Sequence, residues 1–297
     1  MGMAGQSAAR LHALRMSTLT AYEREALHEI AEFRNPERGL LSKAADAIHR
    51  PVDKAAEAAF DTAAGAKVDE ALSKVMEKLH DAATWTVRED AILKDFREAD
   101  LPVKDFGDIA NRGLEEVEDV IGHLARKYRV LALAEGTAVG AVGAAGFLVD
   151  IPLVLGLALR GTTEFAAYYG FYPFEEAEKA YVLDLVSAAS SPTHELRQKS
   201  MAGLSEWGDG AATGRMAEAE TVLGIQAVER IATSIVSRMA RGKAAQGVPL
   251  LGAFIGGGFN RWFVGQVMEM AEMMYRERFL IRKHGLETVR AEVPLEG

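Results

Sequence analysis

The chain contains no cysteine, so disulfides, thiolate nucleophiles, cysteine-ligated zinc sites and iron–sulfur clusters are excluded. Proline is scarce, with eight residues among 297, while alanine, glutamate, leucine and methionine are plentiful. This balance favours helices over sheets. No stretch shows the alternation of apolar and polar residues that marks a half-buried strand. Together these absences predict an all-α globular protein, and the lack of cysteine permits a cytoplasmic location.

The chain also has fewer basic than acidic residues, and its formal net charge is −9. An acidic chain without a concentrated basic stripe is a poor candidate for nucleic-acid binding. A local basic cluster near the C-terminus lies on a predicted amphipathic helix and is compatible with a solvent-facing position; it comprises Arg276, Arg278, Arg282, Lys283 and Arg290. The N-terminal residues also lack the pattern of a signal peptide. We expect no nucleic-acid partner and a cytoplasmic protein.

Apolar residues recur at helical spacing along most of the chain. The clearest predicted helix runs from about Ile109 to Ala134, and its apolar stripe comprises Leu114, Val117, Ile121, Leu124, Tyr128 and Leu131. Acidic residues lie toward its N-terminal half, where they suit the helix dipole, and we expect them to face solvent: Glu115, Glu116, Glu118 and Asp119. Further helices are predicted over 152–169, 175–189 and 193–207, followed by a loop over 208–214. A last helix with four methionines ends near Lys283.

Two segments are both glycine-rich and apolar, residues 136–159 and 247–263. Glycines spaced four, three and three residues apart line one side of a helix and let another backbone approach closely. Each costs about 1 kcal/mol of helix propensity relative to alanine, so tight packing must compensate. The predicted packing edge comprises Gly136, Gly140, Gly143, Gly146, Gly252 and Gly256. We therefore predict a single multi-helix bundle with a glycine-rich apolar helical hairpin in its core.

The domain prediction is one all-helical domain over residues 1–286, with peripheral N-terminal helices in 1–105, a core in 106–286 and a C-terminal tail over 287–297.

Two stretches resemble the EcsC protein family. The first leads from Glu135-Gly136 through Asp150-Ile151-Pro152 and Arg160 to Tyr169-Gly170-Phe171, and the second leads from Pro249 through Gly252, Gly256 and Asn260 to the Tyr275–Leu280 run. The resemblance implies an all-helical fold and no defined chemistry. The founding members are associated with an ABC-transporter gene cluster, which implies work at a membrane or in secretion.

Three polar residues stand out in apolar surroundings: Asp150, Arg160 and Glu164. Arg160 and Glu164 are one helical turn apart and can pair. Asp150 lies about 15 Å from Arg160 along a continuous helix and needs a partner on another helix. The residues form either a structural cap with a buried salt bridge or a functional polar pocket. With Tyr169 and Asn260 from the motifs above, they make up the candidate polar cluster.

Two Glu-x-x-His pairs, Glu25/His28 and Glu77/His80, have the spacing of ligands in di-iron bundles. Such ligands must point inward, whereas His28 falls on the charged side of its helix and Glu77 lies away from the apolar stripe. We therefore expect no metal and no cofactor.

Residues 136–159 contain one charge and are long enough to span a bilayer. Asp150 near the centre of such a span costs about 3 kcal/mol, and Pro152 breaks it. A hairpin buried in a soluble or peripheral bundle avoids both problems. Three functions stay open: a non-enzymatic accessory protein at the inner face of the cell membrane, touching its surface or a membrane protein complex; a hydrolase with a pocket around Asp150, Arg160 and Glu164; and a homo-oligomeric structural protein.

Overall fold

The computed structural model describes residues 19–35, 73–77, 79, 87–140, 151–191, 194–212, 232–233, 235–236 and 258–294. Every regular element in these residues is an α-helix, which confirms the all-α prediction. In chain order the helices with defined limits are α1 (Ala21–Arg34), α2 (Glu89–Glu98), α3 (Phe106–Ile109), α4 (Leu114–Ile121), α5 (Leu124–Gly140), α6 (Ile151–Tyr168), α7 (Glu176–Ala189), α8 (His194–Ala212), α9 (Gly258–His284) and α10 (Leu286–Glu292).

Helix α9 is the centre of the bundle. It packs against α1, α4, α5, α6, α7, α8 and α10, so neighbours surround it. Eight consecutive residues from Met274 to Ile281 are buried, whereas a surface helix buries only one stripe. Three of its four methionines, Met268, Met270 and Met274, are buried in the core. Charged residues in this stretch must therefore find partners inside the protein.

Close contacts fix the relative directions of α5, α6 and α9. A Cβ placed on Gly161 of α6 would lie 2.5 Å from Sδ of Met268 on α9, and a Cβ on Gly265 would lie 3.2 Å from Nε of Arg129 on α5. Side chains of the neighbouring helices thus pack directly onto two glycines that the sequence analysis did not single out. Farther along, Arg282 of α9 contacts the C-terminal end of α6. Hence α6 and α9 run parallel and α5 runs antiparallel, so Gly140, Ile151 and Gly258 lie toward the same end of the bundle.

The prediction of one continuous helix from 109 to 134 is wrong. The structure divides this stretch among α3, α4 and α5, and Gly122 separates the last two with a φ of 53°. Glycine adopts this left-handed conformation without the steric cost that a Cβ adds. The predicted stripe is otherwise buried, except that Leu131 is 41% exposed.

Two other differences concern helix ends. Helix α8 continues to Ala212, through residues predicted as the start of a loop. The residues predicted as a tail from 287 include most of α10, in which Thr288 and Val289 are buried. Gly136 and Gly140 lie in α5 as expected, but Gly143, Gly146, Asp150, Gly252 and Gly256 fall outside the described residues. The glycine-rich hairpin and its packing edge therefore stay predictions.

Helix α6 ends at Tyr168, and Gly170 turns the chain just beyond it with a φ of 78°. The N–H of Gly170 donates to the carbonyl of Ala167 at 2.9 Å, and that of Phe171 donates to the carbonyl of Ala166 at 2.8 Å. This pair of bonds is the Schellman motif, which requires a left-handed residue at the position of Gly170. Arg282 reinforces the turn by donating to the carbonyls of Tyr169 and Gly170 at 2.6 and 2.7 Å.

We expect Gly170→Ala to lower the free energy of unfolding by about 1–3 kcal/mol because of the left-handed backbone. The added Cβ would also lie 2.6 Å from the backbone carbonyl oxygen of Phe106, which cannot rotate away. Urea denaturation measures the loss. Gly203→Ala on α8 is the control, because no atom lies within 4 Å of a Cβ at that position. Equal stability of the two variants would contradict this account of the turn.

Candidate functional site

A cluster around Glu118 joins helices α1, α4, α6 and α9. Arg276 donates to both carboxylate oxygens of Glu118, from Nε at 2.6 Å and from Nη2 at 2.9 Å. The hydroxyls of Tyr22 and Tyr169 donate to the same carboxylate at 2.6 and 2.8 Å. Arg276 also pairs with Glu29 of α1. The Glu118 carboxylate therefore accepts four hydrogen bonds and has little capacity left for a ligand.

A second cluster joins α7 to α9. Arg278 donates to the Glu178 carboxylate through two bonds, of 2.7 and 2.9 Å, and the Tyr275 hydroxyl donates to it at 2.7 Å. The Arg278 guanidinium also lies over the rings of Phe171 and Tyr181, about 4 Å from each centroid. Both charged side chains are at most 8% exposed. Burial raises the pKa of Tyr275 well above its ordinary value, so this hydroxyl stays protonated and acts as a donor.

Glu277, between these two arginines, contacts a third set of helices. Its carboxylate pairs with Arg34 of α1 and Arg290 of α10, and Arg290 binds Asp209 of α8 through bonds of 2.6 and 3.0 Å. Successive helical residues point about 100° apart. Positions 276, 277 and 278 therefore contact different neighbouring helices. At each position the charge is opposite to that of the partner side chains on those helices. Of the basic cluster noted near the C-terminus, Arg276 and Arg278 are thus internal, Arg290 is partly buried, and Arg282 and Lys283 are exposed.

The N-terminus of α1 is fixed by Glu23. The Thr20 N–H donates to the Glu23 carboxylate at 2.9 Å, and the Thr20 hydroxyl accepts from the Glu23 N–H at 3.1 Å, which is a capping box. The other carboxylate oxygen lies 3.1 Å from Nε2 of His284 and 3.2 Å from Nζ of Lys283. Burial favours the neutral acid, but the hydrogen bond from Thr20 and the nearby His284 and Lys283 side chains outweigh it and lower the pKa of Glu23.

This lowered pKa predicts a pH dependence. Because the pKa is lower in the folded than in the unfolded state, the Glu23 charge adds stability above the unfolded-state pKa. That stability is lost as the pH falls through the folded-state pKa. We expect Glu23→Gln to cost about 1–2 kcal/mol at neutral pH and progressively less in acid. Denaturation of both proteins across acid pH measures the difference, with the exposed Glu25→Gln as control. A difference that grows in acid would contradict the assignment.

The candidate polar cluster of the sequence analysis is only partly brought together. Arg160 and Glu164 pair as predicted, with 3.7 Å between Nε and Oε1, and Lys127 of α5 adds a contact of 2.8 Å to Oε2. Tyr169 belongs instead to the Glu118 cluster. Asn260 is buried near the start of α9, and Asp150 falls outside the described residues. Arg160 and Lys127 are about half exposed, so the Arg160–Glu164 pair lies at the outer face of the bundle.

Arg160→Ala should therefore cost less than about 1 kcal/mol, as for exposed ion pairs, rather than the 3–5 kcal/mol of a broken buried pair. Lys127 stays in place to neutralise Glu164. Urea denaturation of the variant tests this, with Lys94→Ala as a control that breaks another exposed pair. A loss above about 3 kcal/mol would show that Arg160 stabilises the protein as a buried residue does.

The described residues contain no group of three metal-ligating side chains. His28 is exposed and lies 3.5 Å from Glu32, while Glu77 is exposed and His80 falls outside the described part. Within the described ranges, no helix is both long and apolar enough to cross a membrane.

The outer surface of α5 and α6 has an unusual composition. The Lys127–Glu164 ion pair joins the two antiparallel helices. Exposed residues of these helices are named here the α5–α6 face: Arg126, Lys127, Val130, Leu131, Leu153 and Arg160. Val130, Leu131 and Leu153 are 58%, 41% and 42% exposed. Trp262, at the start of α9, is 43% exposed toward the same end of the bundle. This end adjoins the two glycine-rich apolar segments in sequence.

The fold and these clusters define a helical-bundle protein built around a charged central helix. The model of the EcsC protein family matches residues 24–280, so the chain belongs to that family. A curated relative is Uncharacterized protein YdbA of Bacillus subtilis (strain 168), 24% identical over 191 residues. The match covers 64% of this chain and 63% of that protein's length. No solved structure matches the chain.

Several residues of these clusters were not assigned to a site from the sequence, among them Glu118, Glu178 and Lys127. For Glu118 a signal existed, because it stands four residues after Leu114 and three before Ile121, on the buried side of α4. The expectation that it faces solvent is wrong, although Glu115, Glu116 and Asp119 are exposed as predicted. Glu178 and Lys127 depend on tertiary contacts that no local spacing reveals.

Proposed function

We propose that the protein is a non-enzymatic accessory protein that binds peripherally to the surface of a membrane through the α5–α6 face. The exposed side chains of Val130, Leu131 and Leu153 on this face carry the proposal. Apolar residues that stay exposed on one face of a folded protein mark an interaction surface. Membership of the EcsC family, whose resemblance implied membrane work, supports the same conclusion.

The chemistry of the face suits a membrane interface. An interfacial helix places its apolar residues about 5–10 Å into the boundary between headgroups and acyl chains, with basic residues on the polar side. Tryptophan is enriched at this depth, and Trp262 is exposed toward the same end. Since the adjoining segments 136–159 and 247–263 are apolar and glycine-rich, the apolar surface is followed in the sequence by further apolar residues.

The charged core supports a structural rather than a catalytic interior. A general base or nucleophile needs free capacity to accept a proton or attack a substrate. Glu118, Glu178 and Glu277 are instead each held by arginine or tyrosine donors from other helices. The alternative of a hydrolase with a pocket around Asp150, Arg160 and Glu164 receives no support from the outward position of Arg160.

The alternative of a homo-oligomer would use the same exposed apolar residues. Stacking the α5–α6 face on a second copy would place two sets of Arg126, Lys127 and Arg160 in one interface, and like charges at an interface repel. A membrane surface covers the same residues without this repulsion.

Flotation with phospholipid vesicles tests the proposal. We expect the full chain to float with vesicles and Leu131→Ser/Leu153→Ser to bind about tenfold more weakly, because two half-exposed leucines lose their transfer free energy. The control is Leu196→Ser on α8, which removes a leucine that is 47% exposed elsewhere. Full binding by the double variant, or no flotation of the unmodified protein, would reject the proposal. Light scattering of the free protein would show an assembly if the face joins copies instead.

A further inference from the structure

The α5–α6 face is basic although the chain as a whole is acidic. The formal charge of the chain is −9, yet every exposed charged side chain on α5 and α6 is basic: Arg126, Lys127 and Arg160. The acidic residues of these two helices are Glu135, which is half-buried, and Glu164, which is buried. This face therefore presents positive charge to solvent beside exposed leucine and valine.

Glu164 holds two of these cations together. Nζ of Lys127 lies 2.8 Å from one of its oxygens and Nε of Arg160 lies 3.7 Å from the other. One carboxylate between two cations leaves a net charge of about +1. The side chains of Lys127 and Arg160 are 53% and 49% exposed, so further N–H donors on both can reach a ligand from solvent. Burial of Glu164 keeps the carboxylate itself away from that ligand.

We propose that Lys127 and Arg160, with Arg126 beside them, bind the phosphate of an anionic phospholipid headgroup. This inference rests on the proposed function and names the class of lipid that the face selects. Phosphate is recognised by converging arginine and lysine donors. Basic residues near an anionic leaflet contribute about fivefold each to binding, and salt screens their effect.

The order of residues along α6 favours a lipid over other phosphate-bearing partners. Leu153 and Arg160 are seven residues apart, about 10 Å along the helix axis. If α6 is inclined so that Leu153 enters the acyl boundary first, Arg160 lies nearer the headgroup phosphates. Val130 and Leu131 are also exposed next to the basic residues, and apolar side chains of this kind have no role in contacts to a nucleic-acid backbone.

Sedimentation with two kinds of vesicle tests the inference, one of phosphatidylcholine alone and one containing phosphatidylglycerol. We expect stronger binding to the anionic vesicles, weakened by salt. Arg126→Gln should lose about fivefold on anionic vesicles only, and Glu164→Gln should gain about fivefold because it removes the neutralising carboxylate. The control is Lys94→Gln on α2, which makes the same charge change at an exposed lysine paired with Glu98. We expect it to bind as the unmodified protein does.

The two proposals fail in different ways. Equal binding to both vesicles, with Arg126→Gln and Glu164→Gln unchanged, would overturn the lipid selectivity and leave the membrane-surface function standing. Absence of binding to either vesicle by the unmodified chain would overturn both. A loss of binding in Lys94→Gln equal to that in Arg126→Gln would show that net charge, rather than this face, determines the affinity. Because Arg126 makes none of the ion pairs with Glu164, its replacement tests the inference even if Glu164→Gln folds poorly.

Discussion

Replacing Arg278 with methionine should lower the free energy of unfolding by about 3–5 kcal/mol, which is a large part of the stability of an ordinary domain. The variant leaves the Glu178 carboxylate buried with the Tyr275 hydroxyl as its remaining donor. It also removes a guanidinium that packs over the rings of Phe171 and Tyr181. Urea denaturation measures this loss, and we expect the slope of the unfolding free energy against urea concentration to stay unchanged.

A double substitution separates the free-energy cost of the unpaired Glu178 charge from the net contribution of the ion pair to stability. Arg278→Met/Glu178→Leu removes both charges, and a buried ion pair replaced by apolar residues of similar volume is often close to neutral. We therefore expect the double variant to recover most of the lost stability. If it is as unstable as Arg278→Met alone, the contacts of Arg278 with the aromatic rings, rather than charge burial, dominate at this position.

Replacing Glu118 with glutamine should cost about 3 kcal/mol, since it removes one charge of a nearly buried pair. An amide has one acceptor oxygen, whereas the carboxylate accepts from Arg276 twice and from Tyr22 and Tyr169. Arg276 keeps a contact with Glu29, but that residue is about half exposed and compensates poorly.

Glu115→Gln is a matched control for this change, because it makes the same substitution at an exposed position of α4. We expect it to alter the free energy of unfolding by less than about 0.5 kcal/mol. Tyr169→Phe should fall between the two variants, at about 1 kcal/mol, because it removes one hydrogen bond to Glu118. Similar losses for Glu115→Gln and Glu118→Gln would contradict the cluster.

Local patterns in the sequence were sufficient for much of the fold. The helix predicted over 152–169 is observed as Ile151–Tyr168, and that predicted over 175–189 as Glu176–Ala189. Their apolar spacing, Pro152 in the first turn of α6 and Pro173 before α7 are local signals. The break at Gly122 was missed because the apolar stripe continues across it, from Ile121 to Leu124. Spacing alone does not show that the intervening glycine reverses its φ.

The charged core shows what local patterns could not supply. Arg276, Glu277 and Arg278 look like solvent-facing residues on an amphipathic helix. They are internal because, in the described part of the chain, seven helices pack around α9. Their partners lie more than 90 residues away for Glu118 and Glu178. Conversely, the Arg160–Glu164 pair was predicted from its spacing, but its outward position depends on how α5 and α6 pack.

Fractionation of the untagged protein from its native cells tests the membrane-surface function most directly. We expect the protein to sediment with membranes at low salt and to be released by high salt or by a carbonate wash. Release follows because the basic residues of a peripheral face bind the membrane surface through charge, which salt screens. Protein that stays with the membranes after carbonate would contradict the account by showing insertion. Protein found wholly in the soluble fraction at low salt would contradict it as well, by removing the membrane as the partner of the α5–α6 face.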